Sequence, residues 1–129
     1  MKRHYRLTKG GKVIATEHAE QVALMQWAEA EAHHHPELGL LFAIPNGGHR
    51  VPAVAVKLKR EGVKSGVPDL FLPVARQDCH GLWLEMKAKD GRVSEKQGDW
   101  MEKLEEQGYR VAVAFSAEEA ITVIKEYLK

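Results

Sequence analysis

The segment Leu82-Trp83-Leu84-Glu85-Met86-Lys87-Ala88 restricts the fold more than any other part of this chain. Side chains alternate along a strand, so Leu82, Leu84 and Met86 share one face while Trp83, Glu85 and Lys87 share the other. A strand that is strongly apolar throughout belongs in a sheet covered by helices on both sides. A carboxylate and an ammonium on such a strand therefore need a partner or a purpose. A second apolar run, Pro68 to Val74, precedes it and carries Asp69 near its start. The loop from Ala75 to Gly81 is short enough for the two runs to pair as a hairpin. Two carboxylates converging from paired strands make a hard-oxygen site for Mg²⁺ or Mn²⁺, and a nearby lysine suits an anionic substrate or an activated water. A cross-strand ion pair on a solvated face is the plainer alternative.

The remaining elements surround this hairpin. Thr16 can cap a helix running to about Ala32, which the His33-His34-His35-Pro36 segment ends. Leu40 to Ile44 reads as a buried strand, and Pro45-Asn46-Gly47-Gly48 as a turn. Pro52 to about Glu61 reads as a helix broken by Gly62. Ser94 opens another, with Gln97 at the capping-box spacing, and Gly108 closes it. Tyr109 to Phe115 is a strand, and Ser116 with Glu119 forms another capping box at the start of a last helix striped by Ile121, Ile124 and Leu128. This order predicts an α/β fold, a mixed central sheet flanked by helices. The 129 residues are expected to form one domain, with 1–15 a short strand or an arm.

Composition removes several classes of function. Cys79 is the only cysteine, so disulfide frameworks and multi-cysteine zinc sites are excluded, and a reduced cytoplasmic setting is expected. No apolar run approaches the length of a membrane span, nor does the N-terminus carry the apolar core of a signal peptide. The His33-His34-His35 run is not expected to bind metal, because adjacent helical residues point in different directions. Net charge is only +1, yet basic residues cluster. Lys2, Arg3, Arg6, Lys9 and Lys12 precede the first acid, and Arg50, Lys57, Lys59, Arg60 and Lys64 surround a single Glu61. Acid collects later, at Glu95, Asp99, Glu102, Glu105 and Glu106. Such polarity suits one face turned toward phosphates.

Two helices place polar side chains where apolar ones are expected. On the first, Glu17 and Gln21 project onto the middle of a stripe centred on Leu24 and Ala28, with Glu20 at its edge. On the third, Gln97 is in line with Trp100, Met101 and Leu104. Each has a local explanation to weigh: a first-turn carboxylate for Glu17 and a capping box for Gln97.

Taken together, the ordered series Phe42-Ala43-Ile44-Pro45-Asn46-Gly47-Gly48, Gly66-Val67-Pro68-Asp69, Glu85-Met86-Lys87, Ser94, Gln97 and Gly108-Tyr109-Arg110-Val111 resembles the VRR-NUC domain. That domain is a branch of the PD-(D/E)xK nucleases with a restriction-endonuclease-like core. The resemblance runs from about Glu17 to Leu128 and is closest to the small stand-alone form found in phages and prophages. It implies a Mg²⁺-dependent endonuclease in which Mn²⁺ can substitute. Asp69, Glu85 and the Met86 backbone carbonyl would bind the metal, with Glu17 contributing directly or through water. Lys87 would orient or deprotonate the attacking water. Gln97 would be the family's helix glutamine, Gln21 its partner on the first helix, and Glu20 the alternative to Glu17.

The same resemblance implies branched DNA such as four-way (Holliday) junctions as substrate, a homodimer as the working unit, products with a 5′ phosphate, and a bacterial or phage-infected cytoplasm. Arg50, Lys57, Arg60 and Lys64 are the expected phosphate contacts. The rival reading is a nuclease-fold DNA-binding or assembly subunit that cuts only with a partner. Intact Asp69, Glu85 and Lys87 weigh against it, since a binding module does not need all three.

Overall fold

The structure, a computed structural model, describes the backbone of residues 5–7, 13–45 and 51–129 and the side chains of 16–45 and 51–129. Two short strands, β1 (Tyr5–Leu7) and β2 (Val13–Ala15), pair antiparallel within the stretch expected to be a short strand or an arm. Thr16 then caps α1 (Glu17–Glu31), its hydroxyl accepting the Ala19 N–H at 3.1 Å. A 3₁₀ turn (Pro36–Leu40), β3 (Phe42–Ala43), α2 (Pro52–Arg60), β4 (Leu70–Leu72) and β5 (Leu82–Met86) follow. The chain ends with α3 (Glu95–Glu106), β6 (Arg110–Ala114) and α4 (Ala117–Leu128).

The main sheet has the order β3-β4-β5-β6. β3 and β4 pair antiparallel, as do β4 and β5, whereas β5 and β6 run parallel with α3 as the crossover between them. The sheet is therefore mixed and the fold α/β. The hairpin turn between β4 and β5 is tighter than its loop length implies. Arg76 and Cys79 form a bridge across Gln77 and Asp78, both at positive φ, as in a type I′ turn. Gln77 also donates to the last carbonyls of α4, Glu126 at 2.7 Å and Tyr127 at 3.1 Å, tying the turn to a helix end.

One face of the sheet carries the core. Leu70, Leu72, Leu82, Leu84 and Ala114 have no solvent exposure and pack with Leu24 and Ala28 of α1 and Ile124 and Tyr127 of α4. Each fully buried leucine contributes roughly 1.5–3 kcal/mol from leaving water. The buried Tyr127 hydroxyl donates to the Val74 carbonyl at 2.6 Å, so its polar end is satisfied. The opposite face is aromatic: Phe71 stacks on Trp83 at 4.2 Å between ring centroids, and Tyr109 meets both edge-on.

Two sequence expectations are corrected here. Leu40 to Ile44 is not a buried strand, because Pro36 starts a 3₁₀ turn that consumes Leu40 and leaves only the two-residue edge strand β3. Leu38 and Leu41 point into the core, while Leu40 and Phe42 are about half exposed, at 52% and 46%. At the start of α4, Ser116 accepts the Glu119 N–H at 3.1 Å, but the Glu119 carboxylate takes the Phe115 N–H at 3.4 Å, one residue before the cap. The capping box at Ser94 and Gln97, by contrast, has both of its hydrogen bonds.

Candidate active site

The β4–β5 register brings the two carboxylates together. Leu70 pairs with Leu84, so the next residues outward, Asp69 and Glu85, stand opposite each other on the face away from the leucines. Asp69 lies just before β4, and its Oδ2 accepts the Met86 N–H at 2.8 Å. This bond fixes the carboxylate against the partner strand. Glu85 is 2% exposed and faces Asp69 across the ladder. Its Oε2 also accepts Gln97 Nε2 at 3.3 Å and lies 3.9 Å from Lys87 Nζ. Its Oε1 is buried without a hydrogen-bond partner.

A solvated cross-strand ion pair is thereby ruled out. Burial, and then the charge of Asp69, push the Glu85 carboxyl up to about 8, with Lys87 opposing only in part. Burial also raises Asp69, against the stabilising hydrogen bond from Met86. Two carboxyls packed this closely cannot both ionise comfortably without a cation between them. An orphaned buried oxygen, a repelling pair and an all-oxygen donor set fit a hard divalent ion. Among the described residues no three of His, Cys, Asp and Glu gather closely enough to hold an ion alone. Two carboxylates with a main-chain carbonyl suit Mg²⁺, which usually retains several of its waters.

The first-turn glutamates of α1 diverge. Glu17 is solvent-exposed, not buried in the stripe, yet its Oε1 reaches the Ala88 N–H at 3.3 Å, just beyond β5 and next to Lys87. Glu20 turns the other way, and its Oε2 accepts the Ala117 N–H at 2.6 Å at the start of α4. There it satisfies an orphan amide and complements the helix dipole. Glu17 is thus the first-helix acid beside the site, and Glu20 ties α1 to α4. Gln21 lines an open groove with His18, Val22 and Met25 on α1 and joins none of the site's hydrogen bonds.

Gln97 serves both purposes that its position allows. Its Oε1 accepts the Ser94 N–H at 2.9 Å to complete the capping box, while its Nε2 donates to Glu85. The cap sets the rotamer that delivers the amide. Gly66, which the sequence offers only as the first residue of the Gly-Val-Pro-Asp segment, is a site-building residue. It has φ +95°, and a Cβ there would lie 3.0 Å from both Lys96 Cγ and Trp100 Cδ1. The Gly-Val-Pro-Asp segment can therefore pass close to α3 only with glycine at its head. Its signal was the glycine preceding Val-Pro. Of the expected phosphate contacts, Lys57 and Arg60 are exposed on α2, Lys64 lines a cleft against α3, and Arg50 lies outside the described residues.

Residues 13–118 match the VRR-NUC domain family. Among solved structures, the chain is similar to one described as a VRR_NUC domain protein, with 32% sequence identity and a TM-score of 0.73 over 89% of each chain. No curated protein matches. No helix among the described residues is long and apolar enough to cross a membrane.

Proposed function

Since this chain belongs to the VRR-NUC family, of the PD-(D/E)xK nuclease type, we propose that it is a divalent-metal-dependent endonuclease that hydrolyses phosphodiester bonds in branched DNA. The observation that carries this reading is the Asp69–Glu85 pair, with one buried, unpartnered Glu85 oxygen and Lys87 alongside. Asp69, Glu85 and the Met86 carbonyl would hold Mg²⁺ or Mn²⁺, with Glu17, held at the Ala88 amide and close enough for its charge to act on both carboxyls, contributing through water. When bound, the ion supplies Lewis acidity toward the phosphate and acidifies water.

The protein's own groups do the rest. Asp69 is held by the Met86 amide, so its lone pairs are aimed before substrate arrives. Gln97 orients Glu85 through Oε2 and leaves Oε1 available. Lys87 is nearly buried, at 9% exposure, so its ammonium has few waters to compete with a phosphoryl oxygen or an attacking water. Substrate selection by DNA shape, in a homodimer that cuts symmetrically, completes the reading.

The test is cleavage of a labelled four-way junction beside matched duplex and single-stranded controls, in Mg²⁺, Mn²⁺ or EDTA. Junction cutting that needs metal and vanishes in Asp69→Asn is the expected result. Equal cutting of all three substrates would keep the chemistry and discard the structural selectivity. A folded, metal-loaded protein that cuts none of them would overturn the enzyme reading in favour of a partner-dependent subunit.

A further inference from the structure

A cleft of about 540 Å³ opens between the C-terminal end of α2 and the N-terminal half of α3. Its charged lining is entirely basic, Lys59, Lys64 and Lys96, and its apolar lining includes Leu58, Val63 and Trp100. No carboxylate lines it, and among the described residues none of these lysines takes part in an ion pair. Three unneutralised ammoniums around an apolar floor call for an anionic ligand with a flat apolar part.

The cleft shares its supports with the carboxylates. Lys96 adjoins Gln97, which donates to Glu85, and Trp100 follows Gln97 by three residues, about 4.5 Å along the helix on the same side. Beyond Lys64 and Ser65 of the other wall, Gly66 packs so close to α3 that a Cβ on it would lie 3.0 Å from both Lys96 and Trp100, and it precedes Asp69 by three residues. A strand whose phosphate lies at Asp69 and Glu85 therefore has this cleft within reach of a neighbouring nucleotide.

We propose that the α2–α3 cleft binds an unpaired nucleotide adjoining the scissile phosphate, its base against Trp100 and its phosphates on Lys59, Lys64 and Lys96. A fully paired backbone would use the lysines but not the apolar floor. An unpaired base uses both, as aromatic platforms in basic grooves do. This inference rests on the nuclease reading and adds to it a feature of branched DNA that the protein recognises, a base freed where a pair opens at the branch point.

Binding is measured in EDTA, where no cutting occurs, by anisotropy of a labelled single strand, a duplex and a duplex with an unpaired branch. The variants are Trp100→Leu, Trp100→Phe and the combined Lys59→Ser, Lys64→Ser, Lys96→Ser, each checked for the parent melting temperature. Trp100→Leu is expected to weaken the single strand and the branched duplex about tenfold or more, to spare the fully paired duplex, and to be rescued by Trp100→Phe. The lysine variant is expected to reduce the salt dependence of binding by about one counterion per lysine. Equal weakening of paired and unpaired DNA by Trp100→Leu, or parent affinities throughout, would overturn the proposal. Hydrolysis of bis(p-nitrophenyl) phosphate with Mn²⁺, too small a substrate to need the cleft, separates the two readings. If the parent protein neither hydrolyses it nor cuts any of the DNA substrates with metal, the nuclease reading fails, while the binding comparison still decides the cleft.

Discussion

Asp69 stands directly across the β4–β5 ladder from Glu85, and the amide next to Glu85, that of Met86, donates to Asp69 Oδ2 at 2.8 Å. The backbone thus stabilises one carboxylate at the spot where the other is least able to ionise. Asp69→Asn keeps an acceptor for Met86 and removes the charge facing Glu85. The variant is expected to melt no lower than the parent protein in EDTA and to lose both the Mg²⁺-induced rise in melting temperature and all cleavage. Thermal melts with and without Mg²⁺ check both halves. A Mg²⁺-induced rise equal to that of the parent would remove Asp69 from the ligand set.

Glu85 sets a pH dependence of definite sign. Folded, it keeps its proton to about pH 8, whereas its ordinary value is 4.5. The folded state therefore binds more protons across that window, and this contribution to stability is full below it and lost as pH rises through it. Calorimetry in EDTA should show the melting temperature of the parent falling relative to Glu85→Gln between about pH 5 and about pH 8. Added Mg²⁺ should reverse the trend, its stabilisation growing with pH as the proton is displaced.

The two first-turn glutamates of α1 should separate stability from activity. Glu20→Ala removes the acceptor of the Ala117 amide and is expected to cost about 1–2 kcal/mol in urea unfolding. Its turnover per folded molecule should be little changed. Glu17→Ala lies at an exposed position and should leave the urea midpoint nearly unchanged while slowing cleavage. Reversed outcomes would exchange the two roles.

Lys87→Met keeps the packed stem and deletes the ammonium. Cleavage is expected to fall about 10²–10⁴-fold. Loss of the neighbouring positive charge also raises the Glu85 carboxyl further, so Mg²⁺ affinity should weaken near neutral pH and recover above about pH 8. Calorimetric titration at both ends of that range reads this directly. Affinity lost at every pH would make Lys87 a structural support instead.

Gly66→Ala forces a Cβ onto Lys96 Cγ and Trp100 Cδ1 at φ +95°. The expected cost is about 1–3 kcal/mol in urea unfolding. Cleavage should fall even in the fraction that remains folded, because the same segment delivers Asp69 to the sheet.

Much of this was legible in the chain. The alternation through Leu82–Met86 separated the core face from the face of Glu85 and Lys87, and the caps at Thr16, Ser94 and Ser116 each mark a helix start. The stretch Leu40 to Ile44 was misread, because a short apolar run has the same pattern in a buried strand, an edge strand or a 3₁₀ turn. Position in the sheet, not composition, made it an edge. In the sequence Glu17 is preferred and Glu20 stays its alternative, for a similar reason. Both sit in one helical turn, and which of them faces β5 depends on how α1 lies against α4.

The sequence by itself determined the α/β class, the strands that carry Asp69, Glu85 and Lys87, and the helix that carries Gln97, since these follow from periodicities of two and 3.6 and from local capping. Only the tertiary structure decided that Asp69 faces Glu85, that Glu20 belongs to the start of α4, and that Lys59, Lys64 and Lys96 share one cleft. Those are relations between separate elements of the fold. Strand register and helix packing settle them by burying the most apolar surface at once, and local sequence carries no record of that sum.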